Sequence, residues 1–232
     1  MRPYELNIVG LRASSTISNR FDDEIHVFYK VNPIKWNYHV YKVTTDPGTF
    51  WLKNPMQLQG TAILSEGQYV DAYELGLHRG KYKALVQSKP VTIIRDYDRT
   101  AKLDFLNGTK TTGMYGINIH RANSIGTTKT IDKYSAGCQV FENAENFQEF
   151  LLLCEHHNHL YGNNFTYTLI DFRAVKRETY RRVAMSVGFI GMVALGYWAF
   201  TNREKLKSIA EEIAEVFTSL FKPNARQNDN EP

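Results

Sequence analysis

His120 and Cys138, eighteen residues apart, are the pair in this chain best suited to covalent chemistry. A thiol becomes a good nucleophile when a base or cation takes its proton, and imidazole is the usual supplier. Cys138 directly follows the small pair Ala136-Gly137. A backbone without bulk can approach a substrate closely there, and the successive N–H groups of Gly137 and Cys138 can point at a developing oxyanion. Such a set would attack an amide carbonyl and form an acyl-enzyme; water then completes a hydrolysis, and an amine a cross-link. Asn118 and Ser135 are supporting candidates, each expected to act structurally more than chemically. The backbone carbonyl of Arg121 could orient the imidazole, and the Arg121 side chain could bind a substrate carboxylate. His78, in Gly76-Leu77-His78-Arg79-Gly80, and Tyr134 are candidate substrate contacts, although a turn position is the simpler account of His78.

These residues resemble the signature of the L,D-transpeptidase (YkuD-type) catalytic domain, a histidine followed after a short stretch by Ser/Thr-His-Gly-Cys. His120, Ser135, Gly137 and Cys138 fall on its positions. The opening strand and turn of that domain are similar to Val40-Tyr41-Lys42-Val43-Thr44-Thr45-Asp46-Pro47-Gly48-Thr49-Phe50. The resemblance covers residues 20–172 and implies a Cys138 nucleophile, a His120 base and peptidoglycan stem peptides as substrate. Ala136 stands where the family usually has a second histidine. Gln139-Val140 replaces the pair that usually follows the cysteine, which bears on recognition of a substrate carboxylate. The Ser-Ala-Gly-Cys-Gln-Val form is similar to a variant group among tailed phages and Bacteroidetes-like bacteria.

Short β segments must position the pair. Gly116-Ile117-Asn118-Ile119-His120 alternates small or polar with apolar residues and predicts a strand ending at His120. Glu24–Tyr29, Asn37–Val43 and Pro90–Arg95 are further predicted strands, with turns at Asp46-Pro47-Gly48, Leu58-Gln59-Gly60 and Ser65-Glu66-Gly67. One soluble helix is expected from about Asn143 to His157, with Phe147, Phe150, Leu151 and Cys154 on a single face, and a last strand over Phe165–Ile170. The pattern predicts a mostly β, sandwich-like catalytic domain over residues 1–172 with a few helices.

Composition then shifts. A basic linker, 173–182, leads into an uncharged stretch, 183–200, whose eighteen residues reach the lower part of the ~17–25 residues that span a bilayer. A membrane helix is expected there, with Tyr197 and Trp198 at its far interface. Arg173, Lys176, Arg177, Arg181 and Arg182 precede it while Arg203, Lys205 and Lys207 follow, which places the catalytic domain on the cytoplasmic side. The stripe Leu206, Ile209, Ile213, Val216, Phe217 and Leu220 predicts an amphipathic helix over 201–222, open to self-association through 203–221. Residues 223–232 form a polar, disordered end.

The formal net charge of +4 comes without a basic cluster in the first 170 residues, so no nucleic-acid partner is expected. Adjacent histidines point to different helix faces, so His156, His157 and His159 do not make a zinc site. Asp96-Tyr97-Asp98 starts like a calcium loop but breaks at Thr100 and Lys102. Neither metal nor cofactor is expected. Cys138 and Cys154 are the only cysteines. Since a bridge would consume the nucleophile, free thiols in a reducing compartment are expected. Met1–Gly10 holds no apolar core for a secretory signal. That favours a lytic enzyme of the phage-endolysin kind, held inside until the membrane is breached. The rival reading is a membrane-anchored, non-catalytic wall-binding protein with a degenerate transpeptidase-like domain.

Overall fold

Period-two alternation of side chains organises most of the chain, because a strand buries every second residue on one face. A computed structural model describes residues 2–175, 177–179, 181–182 and 201–220. Its strands are β1 (Asn7–Arg12), β2 (Asp23–Lys30), β3 (Trp36–Thr44), β4 (Thr61–Leu64), β5 (Gly67–His78), β6 (Tyr82–Gln87), β7 (Val91–Asp96), β8 (Lys110–Gly113), β9 (Ile119–Arg121), β10 (Gln139–Phe141) and β11 (Phe165–Asp171). The helices are α1 (Thr49–Lys53), α2 (Ala144–Tyr161) and α3 (Arg203–Leu220).

The expected mostly β domain is present, but its main sheet is a closed barrel rather than an open sandwich. The order is β1-β11-β5-β6-β9-β10-β3-β2, and β4-β7-β8 form a separate antiparallel sheet. Two parallel pairings close the barrel. β1 lies beside β11, with Ile8 opposite Tyr167 and Leu11 opposite Ile170. β9 lies beside β10, with His120 opposite Val140. Closure satisfies the edge N–H and C=O groups that two open sheets would expose.

Ile25, Val27, Val43, Tyr73, Leu85, Ile119 and Phe141 build one continuous core with the buried face of α2. That face is the predicted one: Phe147, Phe150, Leu151 and Cys154. The side chain of Asn143 caps the helix by accepting the Asn146 N–H at 2.9 Å. α2 continues a turn past His157, which is buried and accepts the Leu6 N–H at 3.1 Å. Both cysteines are free.

A cluster of charged residues is buried. Arg12 is fully inaccessible and donates to the Thr45 carbonyl at 2.9 Å, while its Nε lies 2.9 Å from Asp46. Asp23 accepts the Thr45 N–H at 2.7 Å, and Asp171 faces Arg12 at 3.7 Å. This network pins the end of β3 and the turn that follows it.

The chain divides into two units, Met1–Lys176 and Arg177–Pro232, so the boundary falls inside the expected basic linker. In the second unit α3 forms where the amphipathic pattern predicts, with Glu211, Glu212 and Glu215 exposed. The side chains of its apolar stripe lie outside the described residues. So do the expected membrane span, 183–200, and the tail, 223–232. No described helix is long and apolar enough to cross a membrane.

Candidate active site

The parallel register of β9 and β10 brings the sequence candidates together. Gln139 pairs with Ile119, and its N–H donates to the Asn118 carbonyl at 2.9 Å. Ile119 and Gln139 therefore point into the barrel, where the Tyr167 hydroxyl donates to the Gln139 side chain at 3.0 Å. Asn118, His120 and Cys138 line a cavity of about 270 Å³ on the other face. The predicted strand over 116–120 is displaced: pairing begins only at Ile119, because Gly116 adopts φ 69°. Gln87 holds the irregular stretch, its side-chain oxygen accepting the Tyr115 and Ile117 N–H groups at 3.1 and 3.0 Å.

His120 is oriented by its neighbours. Its Nδ1 donates to the Arg121 carbonyl at 2.8 Å, and the Tyr82 hydroxyl lies 3.1 Å from the same nitrogen. That contact leaves the lone pair on Nε2, which is buried and has no hydrogen-bond partner. A second imidazole, His78, stacks on it with ring centroids 4.0 Å apart. Asn118 Nδ2 donates to His78 Nδ1 at 3.0 Å. Burial drives the His120 pKa down to about 3, helped by His78 and opposed by the bond to Arg121. Burial and then Arg79 lower His78 to about 4.

Cys138 sits at the end of a tightly tied turn. Ser135 donates its hydroxyl to the Cys138 carbonyl at 2.8 Å and accepts the Gly137 N–H at 3.1 Å. Gly137 has φ 124°, and a Cβ there would lie 2.4 Å from the Ala62 carbonyl oxygen, so glycine is required. The Asp46–Gly48 turn docks on the same loop, with the Gly48 N–H donating to the Ser135 carbonyl at 2.9 Å. The Cys138 Sγ receives the Asn118 N–H at 3.4 Å and donates to the Gly116 carbonyl at 3.4 Å. Burial raises the thiol pKa above its ordinary 9.0, opposed by the Asn118 N–H and Arg79. The resting pair is thus a neutral thiol and a neutral imidazole.

Two expectations need correction. The Gly137 N–H is already bonded to Ser135, leaving the Cys138 N–H, which has no partner among the described residues, as the donor available to an oxyanion. Arg121 contributes its carbonyl alone: its guanidinium lies 4.6 Å over the Tyr82 ring and does not line the cavity. Arg79 takes the cationic position at the rim instead. Tyr134 and His78 do line the cavity, with Met56, Tyr115 and Ala136.

Tyr82, Arg79, Met56 and Tyr115 escaped the sequence reading. Tyr82 and His78 meet because the β5–β6 hairpin pairs them across a turn in which Arg79 and Gly80 have φ 50° and 69°. The Arg79-Gly80 turn was the one local signal that could have found Tyr82. Elsewhere, His156 packs on Tyr4 and His157 on Phe165, while Asp96 and Asp98 accept backbone N–H groups within their own loop. Among the described residues no cluster of His, Cys, Asp or Glu could hold a metal. No family model, curated protein or solved structure matches this chain.

Proposed function

We propose that this chain is a cysteine acyl enzyme of the L,D-transpeptidase type. Its substrate is a peptidoglycan stem peptide, attacked at the carbonyl of the L-centre of a diamino acid. The observation that carries this reading is the free His120 Nε2, buried without a partner in the cavity that also holds the Cys138 sulfur. Sulfur attacks the carbonyl as its proton passes to Nε2, and the Cys138 N–H stabilises the oxyanion. Collapse expels the leaving amine, which takes the proton back from the imidazolium. Water or an amine then releases the acyl group. Because the resting pair is uncharged, proton transfer and attack are coupled rather than sequential.

Intact-mass measurement after incubation with a stem tetrapeptide tests the assignment. The expected result is a covalent adduct that Cys138→Ala lacks; an equal adduct on the variant would falsify it. Digesting purified sacculi separates hydrolysis from transfer, since cross-links fall in one case and rise in the other. The uncharged stretch 183–200 supports attachment of the enzyme to a membrane.

A second reading, a wall-binding protein without catalysis, is favoured by two features: burial raises the Cys138 thiol pKa, and the Gly137 N–H is already spent on Ser135. On that reading Cys138 forms no adduct with the tetrapeptide although the chain still binds sacculi.

A further inference from the structure

The cysteine cavity is one end of a longer groove. Met56, Tyr115 and Ala136 line both it and a neighbouring cavity of about 220 Å³. Gln57, Arg95 and Tyr115 line that second cavity and a third, open one of about 610 Å³ that Tyr97 also borders. Tyr115 faces all three, and Ala136 lines the first two.

Arg95 is the one charged residue among those lining the second and third cavities. It is half-buried, and no carboxylate pairs with it among the described residues. Its Nη1 donates to the Gly60 carbonyl at 3.1 Å, and its guanidinium lies 5.2 Å from the Tyr115 ring centroid. These contacts hold the planar fork against the groove wall while its other N–H groups remain unspent. A fork held in this way suits a carboxylate, which it can engage with parallel N–H···O bonds. A cation removed from bulk water with no anion opposite gains more from such a ligand than an exposed one does.

We infer that Arg95 is a specificity residue that anchors a carboxylate of an extended acidic peptide, remote from the amide presented to Cys138. This rests on the proposed acyl chemistry for the position of the scissile bond, but not for the binding itself. Arg95 touches neither His120 nor Cys138, so its effect belongs in binding rather than in the chemical step.

The test uses a stem tetrapeptide and forms of it in which one carboxylate at a time is a carboxamide. Calorimetry on the Cys138→Ser chain reads affinity without any acyl chemistry. With the Arg95 side chain intact, one amidated form is expected to bind roughly ten- to a hundredfold more weakly than the parent. In the Cys138→Ser/Arg95→Gln chain that same amidation should cost nothing, while Arg95→Lys retains part of the difference. Amidation penalties that are equal with and without Arg95 overturn the inference, as does a failure of every form to bind. The Cys138→Ser/Arg95→Gln chain is expected to bind the parent peptide measurably, so a folding defect, which would abolish binding of every form, does not imitate the expected result. Acyl-enzyme formation is scored separately on the chain that keeps Cys138. An adduct with no Arg95 dependence removes this inference alone, whereas Arg95-dependent binding without an adduct removes the acyl-enzyme reading alone.

Discussion

A neutral thiol beside a neutral imidazole holds almost no thiolate at neutral pH, so the reactivity of Cys138 depends on a base acting during attack. Two different pH profiles follow. Alkylation by iodoacetamide, which needs preformed thiolate, should climb with an apparent pKa above the ordinary 9.0, with no plateau at neutral pH. On the proposed reading, peptide acylation needs His120 as free base. Because the His120 pKa is lowered from 6.5 to about 3, the base form persists on acidification and the acid limb should lie near pH 3. His120→Gln should slow acylation by about 10²–10⁴-fold, the usual worth of a positioned base, while leaving alkylation at high pH nearly unchanged. An acid limb near 6.5 would show that the imidazole is not shielded as its burial implies. The residue types were legible in sequence because a thiol, an imidazole and a Gly-Cys step have few shared uses. The burial that tunes them comes from His78 and Tyr82, far along the chain, and no local pattern carries it.

The turn from Ser135 to Cys138 shows how an element converts composition into geometry. Ala136-Gly137 was readable as a place where backbone comes close, and Gly137 does face the Ala62 carbonyl oxygen at a φ of 124°. Gly137→Ala is expected to cost more than about 2 kcal/mol, from the strained φ together with the clash, seen as a lower urea midpoint. Ser135 was expected to support the site structurally rather than chemically, and its hydroxyl is spent closing the turn. Ser135→Ala leaves the Gly137 N–H and the Cys138 carbonyl without that partner. It should cost about 1–3 kcal/mol, with the freed Gly137 N–H able to turn towards the oxyanion. α2 was legible nearly in full, since its apolar spacing and Asn143 cap are local signals. The strand at Gly116–His120 was misplaced, because the Gln87 side chain, a tertiary contact, takes the backbone N–H groups of Tyr115 and Ile117 that a ladder would use.

At the scale of the molecule, a buried arginine ties together the ends of β1, β3 and β11. Arg12 faces Asp46 and Asp171, with Asp23 reached through Thr45, and it opposes the effect of burial on Asp23 and Asp46, whose carboxyls burial pushes up. Arg12→Leu should therefore cost about 3–5 kcal/mol at neutral pH, since carboxylates remain buried without their cation. The sign with pH follows from the upward shift. A raised carboxyl binds a proton more tightly in the folded state than in the unfolded one, so stability falls as pH rises through the window above 3.8. The deficit of the variant relative to the parent should then shrink on acidification, as measured by urea melts across pH; a deficit that grows instead would refute the network's role. Mostly β content, the α2 face, the α3 segment and the candidate pair could all be read along the chain, because alternation, helical spacing and reactive side chains are properties of neighbouring residues. Barrel closure, the neutral resting pair, the stacking of His78 on His120 and the run of cavities that Arg95 lines could not. Each depends on residues distant in sequence meeting in space, and on the water excluded where they meet.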